Sequence, residues 1–169
     1  MTKHVKAPGR WLLLAAVVIG TSLGSGQVGE GPLHLGGGGS GVLCSPLREG
    51  GSILLGEVVQ VPQGPITVEA LGLVHPEGLR VVDAVVFPID GLGIGSSVGP
   101  PVDIPSWRGR VPAAGAQLAA GTTYDVVVEV SRLSDADASA QAMSMTYSAR
   151  GVEHSTVGTT RYELKDACS

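Results

Sequence analysis

The clearest regularity in the chain is the alternation in TYDVVVEVSRL, residues 123–133. Tyr124, Val126, Val128 and Val130 fall on one parity, and Asp125, Val127, Glu129 and Ser131 on the other. A period of two gives a strand one apolar face and one mostly wet face, so this run is expected to be a central strand. Six further runs have strand character: SILLGEVVQV (52–61), ITVEALGLV (66–74), LRVVDAVVFPI (79–89), AQL (116–118), AQAMSMTYSA (140–149) and TTRYELK (159–165). Turn-forming clusters separate several of them, among them Pro62-Gln63-Gly64-Pro65, His75-Pro76-Glu77-Gly78 and Ser134-Asp135-Ala136-Asp137. In the second run the apolar positions change parity after Ala70, which predicts a bulge at Gly72. Asp83 is expected to face solvent. About seven short strands joined by turns, with no helical period, predict an all-β fold. Its expected form is an antiparallel immunoglobulin-like β-sandwich.

Before the strands the pattern is different. Residues 11–23, WLLLAAVVIGTSL, form an uncharged apolar run behind Lys3, Lys6 and Arg10, the layout of a signal peptide or of a short membrane anchor with its positive end in the cytoplasm. The domain that follows is therefore expected outside the cytoplasm, secreted or anchored to the plasma membrane. The residues leave cleavage and retention open: no Ala-x-Ala site is present, and only small pairs such as Ser22 and Gly24, or Gly24 and Gly26, offer themselves to a peptidase. Residues 27–51 are dominated by glycine and read as a flexible linker, with His34 a solvated residue within it. The expected division is thus a signal peptide or anchor over 1–26, a linker over 27–51 and the sandwich over 52–169.

Composition narrows the function classes. A formal charge of −4 and 15% charged residues, with scattered arginines, exclude a nucleic-acid surface, which needs clustered cations. The 26 glycines and 11 prolines suit strand corners. The two cysteines, Cys44 ahead of the first strand run and Cys168 beyond the last, are expected to form a disulfide in an oxidising compartment. Such a bond requires neighbouring terminal strands.

Candidate chemistry is sparse. Residues 90–112, DGLGIGSSVGPPVDIPSWRGRVP, form a long irregular connection, and loops of this length are often functional or packed down. Trp107 within it is expected to cap one end of the core; Trp107, Arg108 and Arg110 are the candidate binding loop. Gly95-Ser96-Ser97-Val98-Gly99 has the form of a nucleophile elbow, with Asp135 or Asp137 and then His154 in hydrolase order. That motif needs a following helix, and Pro100-Pro101 follows instead. Met143 and Met145 with His75 and His154 match the ligand types of a Cu(I) site, but both methionines share the parity of Tyr147 and read as core. Asp135 and Asp137 lack the further carboxylates of a calcium loop.

The basic export segment, the Gly-rich stretch, VPAAGAQLAAGTTYDVVVEV at 111–130 and a cysteine near the C-terminus together resemble uncharacterised exported β-sandwich proteins of GC-rich bacteria. The resemblance is best over residues 113–168 and implies no known activity. The expected function is a non-enzymatic extracytoplasmic binding or interaction module without a cofactor, whose partner is a protein or another envelope component. The alternative is a copper or small-ligand carrier, and a serine hydrolase ranks third. No catalytic or metal-ligating residue is assigned.

Overall fold

The computed structural model of the chain describes residues 29–36, 40–101 and 103–168. The apolar run at 11–23 lies outside the described residues, and among those no helix is long and apolar enough to cross a membrane. The fold is all-β and mainly antiparallel. In chain order the strands are β1 (Gly29–Glu30), β2 (Gly41–Pro46), β3 (Ser52–Gln60), β4 (Ile66–Val74), β5 (Leu79–Pro88), β6 (Ser96–Ser97), β7 (Val111–Pro112), β8 (Gln117–Leu118), β9 (Thr123–Arg132), β10 (Ala138–Ala140), β11 (Ala142–Ala149), β12 (Val152–Val157) and β13 (Thr160–Lys165). A single 3-10 turn, Pro105–Gly109, interrupts them among the described residues.

Three sheets result. One has the order β6-β3-β9-β5-β7, the second β1-β12-β11-β4-β8, and the third β10-β13-β2. Their inner faces meet in one core: Leu55, Val59, Val126, Val128 and Val130 from the first, Val68, Met143, Met145 and Tyr147 from the second, and Ala138, Ala140, Tyr162 and Leu164 from the third. The architecture is a sandwich of packed sheets, each strand contributing every second side chain to the interior. β9 is central, bonded along its length to β3 and β5.

Four departures from the sequence expectations have physical causes. First, thirteen strands form among the described residues rather than about seven, four of them only two residues long. Second, the described part of the expected linker is built into the fold. Leu33, Leu35 and Leu47 join the core, and β2 pairs in parallel with β13, placing Cys44 opposite Glu163. Cys44 therefore lies within a strand rather than ahead of the first one. A strand that borrows its hydrogen bonds from a partner 120 residues away leaves no local period to read. Third, the bulge falls at Glu69 rather than Gly72, since Thr146 pairs with Ala70 and Tyr147 with Val68. Fourth, the polar face of β9 is not wet: Asp125 and Val127 are 0% exposed. The connection over residues 89–112 folds back across that face and buries it.

Cys44 and Cys168 are bonded, with Cα atoms 5.9 Å apart. The bond fastens β2 to the chain end just beyond β13, so terminal strands are neighbours. Arg132 reinforces the same corner from inside. Its buried guanidinium donates to the carbonyl oxygens of Leu47, Asp135 and Ala136, and to Asp166 Oδ1 at 2.6 Å.

Candidate functional site

The connection that buries the outer face of β9 also builds a cleft. Pro105 opens a 3-10 turn by presetting its first φ, and the turn drops Trp107 onto the sheet. The indole, 9% exposed, completes a second apolar cluster with Leu54, Val85, Phe87 and Val127, joined at the margin by Ile89, Ile94 and Ile104. Its edge meets the Phe87 ring, with centroids 5.5 Å apart at 90°. Arg110 lies over the indole: its guanidinium carbon is 4.5 Å from the ring centroid and its Nη1 donates to the Trp107 carbonyl oxygen at 3.2 Å. Val111 and Pro112 then pair with β5, which pins the C-terminal end of the turn to the sheet.

Between this turn and the sheet is a cavity of about 220 Å³, with Leu54, Val85 and Trp107 as apolar lining and Arg110, Asp83 and Glu129 as charged lining. Asp83 and Glu129 are direct cross-strand partners, and like charges so placed repel. Neither forms an ion pair among the described residues. Of the three residues read as a binding loop, Trp107 is thus packed down, Arg110 lines the cavity, and Arg108 is exposed outside it.

Beneath the start of the same connection lies a polar centre that the sequence reading did not single out. Glu57 and Asp125 are 5% and 0% exposed. Tyr162 donates its hydroxyl to Glu57 Oε1 at 2.6 Å, and the Ile94 backbone N–H donates to Asp125 Oδ2 at 2.5 Å. Burial raises the Glu57 pKa, opposed by the Tyr162 and Thr160 hydroxyls. Burial also pushes Asp125 up to about 6; the Ile94 N–H opposes this and the Glu57 charge adds to it. The Tyr162 hydroxyl is driven far up, by burial and by its acceptor Glu57, and stays neutral. One signal for Glu57 was available, since it shares the inward parity of Ile53, Leu55 and Val59. Nothing local distinguished Asp125 from a solvated residue.

The other candidates are dispersed. Ser97 donates its hydroxyl to the Gly99 carbonyl oxygen at 3.0 Å, and β6 leads into a turn rather than a helix. Asp137 pairs with Lys165 at 4.0 Å, and Asp135 accepts from Arg132. Met143 and Met145 are core, while His154 stacks on Tyr147 with its Nδ1 unpartnered. His75 follows Val74, which is opposite Ala142, whereas His154 is opposite Tyr147. The two imidazoles therefore sit near opposite ends of β11, roughly 17 Å apart along it. Among the described residues no group of three or more His, Cys, Asp or Glu is placed to hold a metal ion.

No family model and no curated protein matches the chain, in keeping with a resemblance that carries no named activity. Among solved structures, the chain is similar to an ASH/PapD-like domain of human CEP192, at 7% identity and a TM-score of 0.42, covering 99% of each chain. It is also similar to the N-terminal domain of PorA, at 13% identity and a TM-score of 0.34, covering 80% of this chain and 99% of that one. Both likenesses are loose.

Proposed function

We propose that the chain is a non-enzymatic, extracytoplasmic binding module of immunoglobulin-like build, and that it takes a side-chain-sized group of an envelope partner in the cleft beside Trp107. The observation that carries this reading is the cleft itself: apolar and charged side chains line it together, beside a turn pinned to the sheet through β7. At about 220 Å³ it is smaller than drug-sized ligand pockets, so one projecting side chain or a small molecule suits it better than a cofactor. Unpaired Asp83 and Glu129 favour a group with a polar or cationic end, and Trp107, Leu54 and Val85 favour an apolar stem. The Cys44–Cys168 bond fits an oxidising compartment, where such bonds persist.

Protein-observed NMR with a panel of fragment-sized aliphatic, aromatic, amine and guanidinium compounds tests the reading. Saturable binding is expected, with the largest shifts at the Trp107 indole N–H and around Glu129. Glu129→Arg, which reverses the wall charge, should weaken it at least tenfold. Shifts scattered over the surface, or hydrolysis of an ester substrate by the purified chain, would count against it.

A further inference from the structure

Glu57 and Asp125 belong to adjacent strands but project from opposite faces of their sheet, because Glu57 has the parity of Leu55 and Asp125 that of Val127. Each has one oxygen hydrogen-bonded and one, Glu57 Oε2 and Asp125 Oδ1, buried without a partner. Glycines wall both carboxyls. A Cβ at Gly158 would collide with Glu57 Oε2, and one at Gly36 would lie 3.1 Å from it. A Cβ at Gly56 would lie 2.8 Å from Asp125 Oδ1, and one at Gly93 3.0 Å from Oδ2. Among the described residues no Lys, Arg or His is within ion-pair distance of either carboxyl. The fold has therefore brought glycine backbone close to two acids and supplied no countercharge among the described residues, and Glu57 shares the wall of a cavity with Gly93 and Gly95.

That closure reaches the cleft. Asp125 Oδ2 accepts from Ile94, Gly56 donates to the Gly95 carbonyl oxygen at 2.9 Å, and Ile94 packs against the Trp107 cluster. Beyond Gly95 the same connection supplies Gly99 and Pro100 to the cavity lining. We propose that Glu57 and Asp125 form a proton-operated latch: neutral, they let residues 90–95 lie closed on β3, and ionised, they loosen that stretch and open the cleft beside Trp107. Ionisation strengthens the single Ile94 N–H bond, because a charged acceptor holds a donor more tightly. It also leaves a buried charge on Oδ1 and on Oε2 with no protein hydrogen-bond partner, and that penalty is the larger. The closed form therefore favours the neutral acids, and raising the pH favours forms in which water reaches them.

The groups facing the pair from the surrounding elements are few. β13 supplies Tyr162, which stays neutral, and Thr160. β5 places Phe87 opposite Asp125. The stretch from Asp90 to Ser97 carries one ionisable side chain, the exposed Asp90 at its start, and Gly36 is preceded two residues earlier by the exposed His34. His34→Gln is therefore the control that removes the imidazole on these segments.

The test is NMR on the full chain between pH 4 and pH 8.5. Carboxyl-carbon titration is expected to place Asp125 and Glu57 above the ordinary carboxylate range. Amide protection at Ile94 and Gly56, corrected for the intrinsic pH dependence of exchange, is expected to fall at least tenfold from pH 5 to pH 8 relative to Val128. The Trp107 indole resonance should move with the same midpoint. Asp125→Asn should abolish the fall, and His34→Gln should retain it. Ordinary titration of both carboxyls, or raised titration without any loss of protection at Ile94 and Gly56, overturns the latch. These wild-type measurements decide even where a variant fails to fold, and they do not depend on whether the cleft binds a ligand.

Discussion

The two faces of β9 are both shut off from solvent, but by different materials. The inner face, Tyr124, Val126, Val128 and Val130, is covered by the strands of two other sheets and is apolar apart from the Tyr124 hydroxyl and, at the strand's end, the buried Arg132. The outer face is covered by a connection that holds itself down with β6, β7, a 3-10 turn and single backbone bonds, and it encloses a carboxylate and a cavity. Strand-on-strand closure spreads its hydrogen bonds over whole ladders, whereas closure by a loop rests on a few. Local opening is therefore expected first on the outer side, where the binding cleft lies. The inner face carries stability and the outer face carries adjustability.

The sharpest way to break this contrast is to weaken the inner side alone. Cutting the Cys44–Cys168 bond, which spans 124 residues, is expected to remove about 5 kcal/mol on the chain-entropy account. Cys44→Ser and Cys168→Ser should lower Tm equally, and the double variant should be no worse than either, since all three lose one constraint. At temperatures where these variants stay folded, the Trp107 indole resonance should keep its wild-type position. A shift there would mean that the two sides are not separable.

Adjacent leucines compare the faces directly. Leu55 points inward at 0% exposure and Leu54 outward, against Trp107, at 7%. Truncating a buried leucine costs about 2–5 kcal/mol, with the spread set by how far the surroundings collapse into the void. Leu55→Ala should lie near the upper end, among strands that cannot move, and Leu54→Ala near the lower end, under a loop that can. Denaturant unfolding measures both. A Leu54→Ala cost below about 0.5 kcal/mol, the level of a surface change, would show the outer face to be open in solution.

Asp125 sharpens the comparison through pH. Its folded pKa of about 6 stands above the ordinary 3.8, so the native state holds the proton more tightly than the unfolded chain. The stability linked to it is then fully present below about pH 4 and lost as the pH rises through 6, by about 3 kcal/mol at pH 8. Glu57 is raised as well and shifts stability in the same direction. Asp125→Asn keeps an acceptor for Ile94 and removes the charge. It should raise Tm at pH 8, leave it little changed at pH 4, and flatten the wild-type decline between them. A wild-type Tm that rises over that interval would reverse the sign and remove the argument.

The same division explains what was legible in the sequence. Met143, Met145 and Tyr147, and Tyr162 with Leu164, announced their inward faces because strands pack them on one side and alternation records that. Neighbouring terminal strands followed from two cysteines at the ends of the strand region. Asp125 was misread because its burial comes from a connection 30 residues earlier that has no period of its own. β2 was missed because GVLCSP is stabilised by β13, and β12 because VEHSTV buries no face completely. Glycine also misled. In the Gly-rich stretch it suggested a linker, yet Gly36 belongs to the backbone that closes on Glu57, with φ at +78° and its N–H donating to the Val58 carbonyl oxygen at 2.9 Å.

The smallest expected effect tests whether the outer closure is soft. Arg110 covers the indole face and ties its own guanidinium to the Trp107 carbonyl oxygen, but it is exposed and makes no ion pair among the described residues. A cation over an aromatic ring at an exposed site contributes about 0.5–1 kcal/mol. Arg110→Ala should therefore lower stability by no more than that, with the loss little affected by salt because no carboxylate partner is screened. The cleft should respond more than the fold does, since removing the guanidinium widens its wall and leaves Asp83 and Glu129 without the positive group that lines the cavity beside them. A variant within about 1 kcal/mol of wild-type stability but with a displaced Trp107 resonance and faster exchange at the Ile104 amide would place the flexibility at the cleft. A Tm loss on the scale of Leu55→Ala would instead make Arg110 part of the rigid frame, and the two faces of β9 would no longer differ in kind.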